Sequence, residues 1–287
     1  MKLLITGANG QLGRCLQDRC KKFGFETIAV SRELLDITNE RAVEDFVCKN
    51  KPSVIINAAA YTAVDQAETD KEVANAVNAL AVGYLAAAAE QVDAMFLHVS
   101  TDYVFDGEAF EPYREIDPVA PLGIYGQSKL AGEVAAVTAK KYFILRTAWV
   151  FSEYGQNFLK TMLRLANERD SLAIVSDQIG TPTYAGDLAE ALLLLASSNH
   201  SYEDYGLYHF NGGRTCTWFD FAEVIFDKAV SKNILVKKPE LSKILTKDYP
   251  TPAKRPNYSV LDGNKLNKAF KIEPGNWESA INFILRQ

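Results

Sequence analysis

Tyr125 and Lys129 are the side chains of this 287-residue chain whose types and spacing most directly suggest chemistry. Residues four positions apart share one face of a helix, so a helix here would place the phenol beside the ammonium group. A nearby ammonium favours phenolate and lowers the pKa of a tyrosine from its reference value of about 10. Such a pair suits a general acid that protonates an alkoxide at neutral pH. With 13 tyrosines in the chain, about one such pair is expected by chance, so other motifs must decide.

A glycine-rich turn lies near the N-terminus, between a predicted strand and a predicted helix. In "GANGQLG", Gly7, Gly10 and Gly13 are each three residues apart. Glycines here allow a tight turn and a close approach of the backbone to a pyrophosphate, which the helix N-terminus then stabilises. The alternative is a plain glycine-rich turn, but pattern and context together favour dinucleotide binding.

The end of the second predicted strand bears on which dinucleotide binds. An acidic residue there suits a free ribose 2′-hydroxyl, whereas a cation suits a 2′-phosphate. This strand ends in Val30, Ser31 and Arg32. We therefore predict NADPH as the preferred cofactor, with NADH also possible, and Arg32 as a cofactor-binding residue rather than a solvated loop residue. Asp36 and Ile37, after a longer turn, are predicted to approach the adenine.

The elements that must position these residues alternate between short apolar strands and helices. Predicted strands cover residues 2–7, 25–31, 52–60, 94–101 and 142–151. Nearly continuous apolar strands separated by helices indicate a parallel sheet that is covered on both faces. We predict an α/β fold with a Rossmann-type, doubly wound parallel sheet, in which ligands bind beyond the carboxyl ends of the strands.

The regular alternation changes after Trp149. We predict a dinucleotide-binding domain of residues 1–150 plus about 172–198, in which residues 172–177 add another strand to the sheet. The remaining segments, about 151–171 and 199–287, are predicted to form a smaller substrate lobe at the sheet edge. The tail from residue 239 onward is richer in proline, which is typical of a loop-rich lobe.

Composition excludes several classes of protein. A net charge of −5 does not fit a general nucleic-acid binder. The longest apolar runs are too short to span a bilayer, and the N-terminus lacks the apolar core of a signal peptide. The four cysteines show neither Cys-x-x-Cys nor metal spacing, which favours reduced thiols in the cytoplasm. The three histidines are scattered along the chain, so we predict no metal site.

The motifs occur in the order of a known family. The glycine turn, "NAAAYTAVD" (57–65), "STDYVF" (100–105) and the pair Tyr125 and Lys129 resemble the extended short-chain dehydrogenase/reductase family. Further segments, "RTAWVF", "SDQIGTPT", "PTYAGDLAEAL" and "YPTPAKRPNYSVLD", resemble its dTDP-4-dehydrorhamnose reductase branch. The resemblance extends from residue 1 to about residue 266. It implies an enzyme that transfers a nicotinamide hydride to the C4 ketone of a dTDP-linked 4-keto-6-deoxyhexose, yielding dTDP-L-rhamnose.

The resemblance also implies roles for individual residues. Tyr125 would donate the proton to O4, Lys129 would bind the nicotinamide ribose and lower the pKa of Tyr125, and Thr101 would hydrogen-bond the reacting oxygen. The resemblance further implies that the predicted substrate lobe binds a sugar nucleotide. Beside the glycines and Arg32, the implied cofactor residues are Gln11, Leu12, Asp36, Ile37, Ala60, Tyr61 and Thr62, with Tyr125 and Lys129. The implied substrate residues are Thr101, Asp102, Tyr103, Trp149 and Arg255.

Several alternatives stay open. Trp149 could instead cap the core, Arg255 could be a surface loop residue, and Asp102 could simply cap a turn. The whole chain could be a non-catalytic NADP-binding subunit resembling the methionine adenosyltransferase β subunit, or a reductase or epimerase of another nucleotide sugar. Related dehydratases carry Asp-Glu where this chain has Asp102-Tyr103, and without that glutamate simple reduction is favoured over elimination. A homodimer is possible.

Overall fold

The computed structural model describes residues 1–286. The strands are β1 Lys2–Thr6, β2 Glu26–Val30, β3 Val54–Asn57, β4 Met95–Thr101, β5 Tyr142–Thr147, β6 Val150–Phe151, β7 Ser171–Val175, β8 Ile179–Gly180, β9 Thr183–Tyr184, β10 Gly206–His209, β11 Cys216–Thr217 and β12 Glu240–Ile244. The helices are α1 Gln11–Cys20, α2 Glu40–Asn50, α3 Val64–Ala67, α4 Lys71–Asn75, α5 Ala81–Gln91, α6 Ile124–Ala136, α7 Phe158–Glu168, α8 Ala185–Ser197, α9 Trp218–Ser231, α10 Asn264–Phe270 and α11 Trp277–Ile284.

Six parallel strands form the central sheet, in the order β10-β5-β4-β3-β1-β2. The chain leaves β1 toward β2 on one side and returns to β3 on the other, so the strand order reverses at β1. In a doubly wound sheet the crevice at such a reversal, beyond the carboxyl ends of the strands, is where ligands bind. The predicted Rossmann-type fold is confirmed.

Helices cover both faces of this sheet because its strands are apolar on both sides. Leu3 and Ile5 of β1 pack into one core cluster with residues of α1 and α8. Leu4, between them, points to the opposite cluster, which contains residues of α2 and α5. Successive side chains of a strand alternate between faces, so one strand supplies both cores.

A long apolar helical stretch crosses one face of the sheet. Residues Lys71–Gln91 comprise α4, a π-helical turn at Ala76–Leu80 and α5, and by length and composition alone this stretch could span a membrane. However, Val82, Leu85 and Ala86 are fully buried and pack with residues of α2 and the sheet. The stretch is therefore a core helix of the fold.

Two strand predictions were wrong. Residues 172–177 do not join the central sheet: β7 pairs in parallel with β12 in a separate two-stranded sheet. The strand β10 takes the edge position beside β5 instead. β7 alternates exposed and buried residues, so it has one apolar face and cannot be covered on both sides. The predicted strand 142–151 is also interrupted, because Trp149 has a φ of 49° between β5 and β6.

The C-terminal part has its own apolar core. Helices α7, α9 and α11 pack around Phe221, Phe226 and Trp277, all essentially buried. Strand β7 contributes Leu172 and Ile174 to the same cluster. The exact division into a dinucleotide-binding domain and a sugar-nucleotide lobe stays a prediction.

Candidate active site

Helix α6 carries Tyr125 in its first turn and Lys129 in the next. Its first N–H group, at Ile124, donates to the Glu68 carboxylate at 2.8 Å, which fixes the helix start. A Cβ on Gly126 would lie 2.1 Å from the Tyr103 carbonyl oxygen, so only glycine lets α6 approach the turn after β4 this closely. The Tyr103 ring meets the Tyr125 ring edge-on, with the centroids 5.4 Å apart. The helix thus holds the predicted pair against the carboxyl end of β4.

The pKa of Tyr125 differs from the prediction. Burial raises this pKa to about 12, the hydrogen bond with Thr101 opposes the rise, and the nearby charge of Asp102 adds to it. Lys129 is not among the groups that shift the pKa, and its Nζ donates to the Val99 carbonyl at 2.6 Å. Burial therefore decides the pKa of Tyr125 in this structure, and the predicted lowering by Lys129 stays a prediction. The phenol keeps its proton throughout the neutral range and is available as a donor.

Lys129 is buried beside a buried ion pair. Burial lowers the pKa of Lys129 to about 8, and the charge of Glu133 opposes that change. Glu133, one helical turn further along α6, accepts two hydrogen bonds from the Arg146 guanidinium, at 2.8 and 2.6 Å, and another from the Ser100 hydroxyl. The spacing of Tyr125, Lys129 and Glu133 places all three on one face of α6. The sequence analysis missed Glu133 and Arg146, although the same four-residue spacing could have indicated Glu133.

The end of β4 supplies hydroxyl and carboxyl groups. The Thr101 hydroxyl donates to Asp102 Oδ1 at 2.9 Å and accepts from the Tyr103 N–H at 3.2 Å, so Thr101 caps the 3₁₀ turn that follows. Asp102 is only 2% exposed, and its second oxygen, Oδ2, has no hydrogen-bond partner. Burial raises the pKa of Asp102 to about 6, although the Ser259 and Thr101 hydroxyls oppose the rise. A buried carboxylate oxygen with no partner is costly, which is more typical of a functional site than of a turn cap.

A cavity of about 430 Å³ lies at the strand-order reversal, beyond the ends of β1, β2 and β3. Seven of the predicted cofactor residues line it: Gly7, Gly10, Arg32, Asp36, Ile37, Ala60 and Tyr61. Arg32 is largely exposed and lies 4.0 Å from Asp36 in a loose ion pair. A larger and more open cleft of about 490 Å³, between α1, α8 and α11, contains none of the predicted site residues.

Six other predicted cofactor residues do not line this cavity. Tyr125 and Lys129 lie on α6 against the end of β4, and the other four lie in the glycine turn, at the start of α1 or after β3. Leu12 is buried in the core and Thr62 is exposed. The Gln11 side chain accepts hydrogen bonds from Ser152, at 3.0 Å, and Asn157, at 2.9 Å, so it links the glycine turn to the segment after β6. Gly13 faces the turn itself. These four residues shape the turn or its surroundings rather than the cavity wall.

The backbone of the glycine turn leaves no room for side chains at Gly7 and Gly13, which suits close approach of a dinucleotide. Gly7 has a φ of 69°, and a Cβ there would lie 2.7 Å from the Ala59 nitrogen. A Cβ on Gly13 would lie 2.2 Å from the Gly7 carbonyl oxygen. The backbone of β1, α1 and the segment after β3 therefore meet at close range, leaving bare backbone beside the cavity and the start of α1.

Asn78 joins the cavity wall to the catalytic helix. It is 1% exposed and lies in the π-helical turn. Its amide accepts from the Tyr61 N–H at 2.8 Å and donates to the Tyr61 carbonyl and to the Ser128 hydroxyl, both at 3.0 Å. The sequence analysis missed Asn78. The available signal was an amide side chain within the apolar part of a long helix, where an unpaired polar group would be costly.

The remaining predicted substrate residues come from distant parts of the chain. Arg255 donates to the Asp65 carboxylate at 2.9 Å, and its Nη1 is buried without a partner. Burial alone would raise the pKa of Asp65, but hydrogen bonds from Arg255 and from the Ala253 N–H hold it below its ordinary value. The partly exposed Trp149 stacks on Trp218, with ring centroids 3.6 Å apart. Arg255 and Trp149 therefore both contact specific partner residues and are not free side chains on the surface.

Comparison with known proteins agrees with this geometry. The sequence matches the family described as RmlD substrate binding domain over residues 1–287. A curated relative from Aggregatibacter actinomycetemcomitans, named dTDP-4-dehydrorhamnose reductase, is 50% identical over 99% of this chain and 98% of its own length. A solved dTDP-4-dehydrorhamnose reductase from Clostridium acetobutylicum is 41% identical, with a TM-score of 0.93 over 100% of this chain and 99% of that one.

A second solved structure bears on the cofactor. The dTDP-4-dehydrorhamnose reductase from Bacillus anthracis, solved in complex with NADP, is 39% identical, with a TM-score of 0.91 over 99% of this chain and 98% of that one. The Rossmann-type sheet, the glycine turn at its strand reversal and the Tyr-Lys helix beside it define a nucleotide-dependent oxidoreductase of the short-chain dehydrogenase/reductase type. Within that class, the chain belongs to the dTDP-4-dehydrorhamnose reductase family. The predicted family is confirmed, and the alternative of a non-catalytic subunit gains no support.

Proposed function

We propose that this protein reduces the C4 ketone of dTDP-4-dehydrorhamnose to the alcohol of dTDP-L-rhamnose, with NADPH as reductant. The observation that supports it most directly is that α6 holds Tyr125 and Lys129 against the end of β4, where Thr101 lies, in a chain 50% identical to a protein named for that reaction. Reduction of a ketone requires a hydride at carbon and a proton at oxygen, and this group of residues supplies the proton.

The cofactor would lie in the cavity beyond β1, β2 and β3 and would supply the hydride. The start of α1 and the Gly7–Gly10 backbone would hold the pyrophosphate, and Arg32 would pair with a 2′-phosphate. Arg32 fits that task because it is largely exposed and only loosely paired with Asp36. NADH remains a possible second reductant, since the Arg32 contact concerns only the 2′-phosphate.

Tyr125 would donate its phenolic proton to O4. Its pKa of about 12 keeps it protonated at neutral pH, which suits a donor to an oxygen that becomes strongly basic as the carbonyl is reduced. The hydrogen-bonded Thr101 hydroxyl would orient both the phenol and the carbonyl. Lys129 would hold the nicotinamide ribose, because an ammonium group buried at this position has few other anchors beyond the Val99 carbonyl.

The sugar nucleotide would lie between the end of β4 and the C-terminal lobe. Asp102 Oδ2 is buried without a partner and suits a sugar hydroxyl, and Tyr103 beside Tyr125 would bound the sugar ring. Trp149 would cover one face of the ring. Arg255 would contact the diphosphate, since its unpartnered Nη1 provides a charged donor where an anion must bind.

We also propose that the protein works in the cytoplasm, with its four cysteines reduced. No disulfide forms within residues 1–286, and three of the four thiols are buried. Homodimer formation stays a prediction.

The test is the oxidation of NADPH in the presence of freshly prepared dTDP-4-dehydrorhamnose, with Tyr125→Phe alongside. Loss of a general acid lowers the rate by about a hundredfold to ten-thousandfold, and we expect kcat of Tyr125→Phe to fall within that range. Cofactor affinity should change little, because the ring remains. Absence of turnover in the wild-type protein, despite measurable NADPH binding, would sink the reductase proposal and revive the non-catalytic subunit. Turnover of another keto-sugar nucleotide instead would revive the alternative of a reductase that acts on a different nucleotide sugar.

A further inference from the structure

Trp149 has a backbone conformation that large side chains avoid. Five non-glycine residues among residues 1–286 have positive φ. Four of them are polar and lie at or just after helix ends: Lys51, Asp93, Asn233 and Lys271. Trp149, with a φ of 49°, is the exception, because it lies between two strands and carries the largest side chain. Such strain persists only where the surroundings hold the residue firmly, and it is typical of functional sites.

The segment "SDQIGTPT" supplies much of what holds Trp149. A Cβ on Gly180 would lie 2.5 Å from Cε2 of the Trp149 indole, so glycine leaves the space that the indole occupies. Thr183 donates its N–H to the Trp149 carbonyl at 3.2 Å. The same segment continues to Asn257 and Ser259 through backbone hydrogen bonds of Ile179, at 2.7 and 2.8 Å. It therefore joins Trp149 to the loop that also carries Arg255.

Trp218 is the aromatic partner in this arrangement. Its ring lies parallel to the Trp149 ring, with an interplanar angle of 8°. Trp218 is the first residue of α9, directly after the N-cap Thr217, whose hydroxyl accepts from the Asp220 N–H at 3.1 Å and fixes the helix start. Phe158 packs on Trp218 with the ring centroids 4.6 Å apart. The ring of Trp218 is thus held independently of Trp149.

A chain of hydrogen bonds fixes the Trp218 indole within its plane. Its Nε1 donates to Gln178 Oε1 at 3.2 Å, and Gln178 Nε2 donates to the Thr246 hydroxyl at 3.1 Å. That hydroxyl in turn donates to Asp177 Oδ1 at 2.7 Å. Gln178 is only 5% exposed, so both ends of its amide need partners, and they have them. A tryptophan that only filled space would not need this chain.

We propose that Trp218, held by Gln178, is a positioning residue that acts through Trp149, fixing the Trp149 indole as the wall against which the sugar ring binds. The proposal rests on the proposed contact of Trp149 with the sugar. It assigns a task to the "SDQIGTPT" segment, in which Gly180 makes room for Trp149 and Gln178 orients Trp218. This role places Trp218 behind Trp149, away from the cofactor and the reacting atoms, so its removal should affect sugar-nucleotide binding and leave the hydride and proton steps intact.

The experiment compares Trp218→Leu, Trp218→Phe, Trp149→Phe and the double variant Trp149→Phe/Trp218→Leu, with Trp277→Phe as control. An aromatic stack contributes enough energy for Trp218→Leu to raise the KM for dTDP-4-dehydrorhamnose about five- to tenfold, with kcat and NADPH affinity unchanged. Trp218→Phe, which keeps a ring, should recover part of the loss. Trp277 lies in the C-terminal core with its Nε1 bonded to the Arg214 carbonyl, so Trp277→Phe should leave KM unchanged.

Two further readouts separate positioning from general damage. Two stacked indoles give an exciton couplet in circular dichroism when their transition dipoles are twisted relative to each other within the parallel ring planes. This couplet should vanish in Trp218→Leu and in Trp149→Phe but persist in Trp277→Phe. In the Trp149→Phe background, Trp218→Leu should cause little additional rise in KM, because the residue through which it acts is already altered. Gln178→Leu, which leaves both rings in place, should weaken the couplet and raise KM about twofold to threefold.

The outcomes distinguish this inference from the premise on which it rests. A Trp218→Leu protein without the couplet but with wild-type KM would overturn the positioning role. Additive effects in the double variant would do so as well. If Trp218→Leu does not fold, Gln178→Leu tests the positioning role instead, and a weakened couplet with wild-type KM in that variant would overturn it. Wild-type KM in Trp149→Phe would instead refute the sugar contact of Trp149, and absence of wild-type turnover would refute the proposed reaction itself.

Discussion

The proposed cofactor cavity is built mainly from a continuous N-terminal part of the chain, whereas the proposed sugar side joins residues as much as 190 positions apart, as in the pair of Asp65 and Arg255. On the cofactor side, the turn is closed locally by the bond from the Gly10 N–H to the Gly7 carbonyl at 3.0 Å. On the proposed sugar side, Arg255 donates to Asp65 and Trp218 donates to Gln178, and Trp149 stacks on Trp218, so residues far apart in the sequence hold one another.

This difference bears on how each side should respond to substitution. A turn of bare backbone with no room for a Cβ has no flexible part that can yield, so one added methyl group should disrupt it. A site assembled from separate side chains should lose one contact at a time, because each partner is held by its own neighbours. The following predictions test that contrast.

The largest effect is expected for Gly7→Ala. The residue has a φ of 69°, and its Cβ would lie 2.7 Å from the Ala59 nitrogen, so strain and steric overlap act together. We expect NADPH affinity to fall about a hundredfold or more, as the cavity wall must shift. Gly24→Ala is a matched control, since Gly24 also has a φ of 69° but no atom lies within 4 Å of its Cβ position. Equal NADPH affinity of the two variants, measured by fluorescence titration, would contradict the rigid-turn account.

Asp102→Asn should stabilise the protein at neutral pH while impairing sugar binding. Burial raises the pKa of Asp102 from 3.8 to about 6, so the folded state holds this proton more tightly than the unfolded state. The stability that this gives is fully present below the unfolded pKa and is lost as the pH rises through about 6. At pH 7 the buried charge therefore costs about 3 kcal/mol, which the amide would avoid.

Urea unfolding at about pH 7.5 and about pH 4 measures this effect. The advantage of Asp102→Asn over wild type should be large at the higher pH and should shrink at the lower one. Asp106→Asn is a contrasting control, because the hydrogen bonds from Tyr113 and the Glu108 N–H lower the pKa of that partly exposed carboxyl. Its replacement should give no gain at neutral pH. A destabilised Asp102→Asn at the higher pH would show that the carboxylate has a stabilising partner.

Arg255→Ala should weaken sugar-nucleotide binding without affecting the cofactor. A charged hydrogen bond to a diphosphate is commonly worth about 1.5–3 kcal/mol, so KM for the sugar nucleotide should rise about tenfold to a hundredfold. The matched control is Arg214→Ala, which removes an arginine paired with Glu278 on the exposed surface. Steady-state kinetics with each substrate varied in turn gives the answer. A change in NADPH affinity equal to the change in KM would remove Arg255 from the sugar side.

The last prediction concerns the pH dependence of kcat/KM. It involves Lys129 on helix α6, which lies between the proposed cofactor side and the proposed sugar side. Burial lowers the pKa of Lys129 to about 8, so the ammonium form is lost as the pH rises through that value. If the charged form is needed, kcat/KM should fall as the pH rises above about 8, by up to tenfold for each further pH unit. Tyr125 should not cause such a decline, since burial raises its pKa to about 12. A pH profile that is flat to about pH 10 would mean that the charge of Lys129 is not required.

The residues foreseen most reliably were those whose backbone conformation or spacing is itself a signal. Gly7 and Gly10, and the pair Tyr125 and Lys129, lie where the sequence predicted, because a βα turn and a four-residue helical spacing are local properties. The placement of 172–177 in the central sheet failed for a physical reason. A short apolar run does not reveal whether one face or both will be covered, and that depends on β12, more than sixty residues later.

By itself the sequence determined the fold class, the glycine turn and the helix carrying the candidate acid, since each depends on periodicity or on conformations that only certain residues adopt. Only the tertiary structure decided the environments of those residues. It placed Lys129 against the Val99 carbonyl and raised the pKa of Tyr125 by burial, against expectation. It also paired Glu133 with Arg146 and Trp149 with Trp218. Burial and long-range pairing depend on which distant segments meet, and only the folded chain brings those segments together.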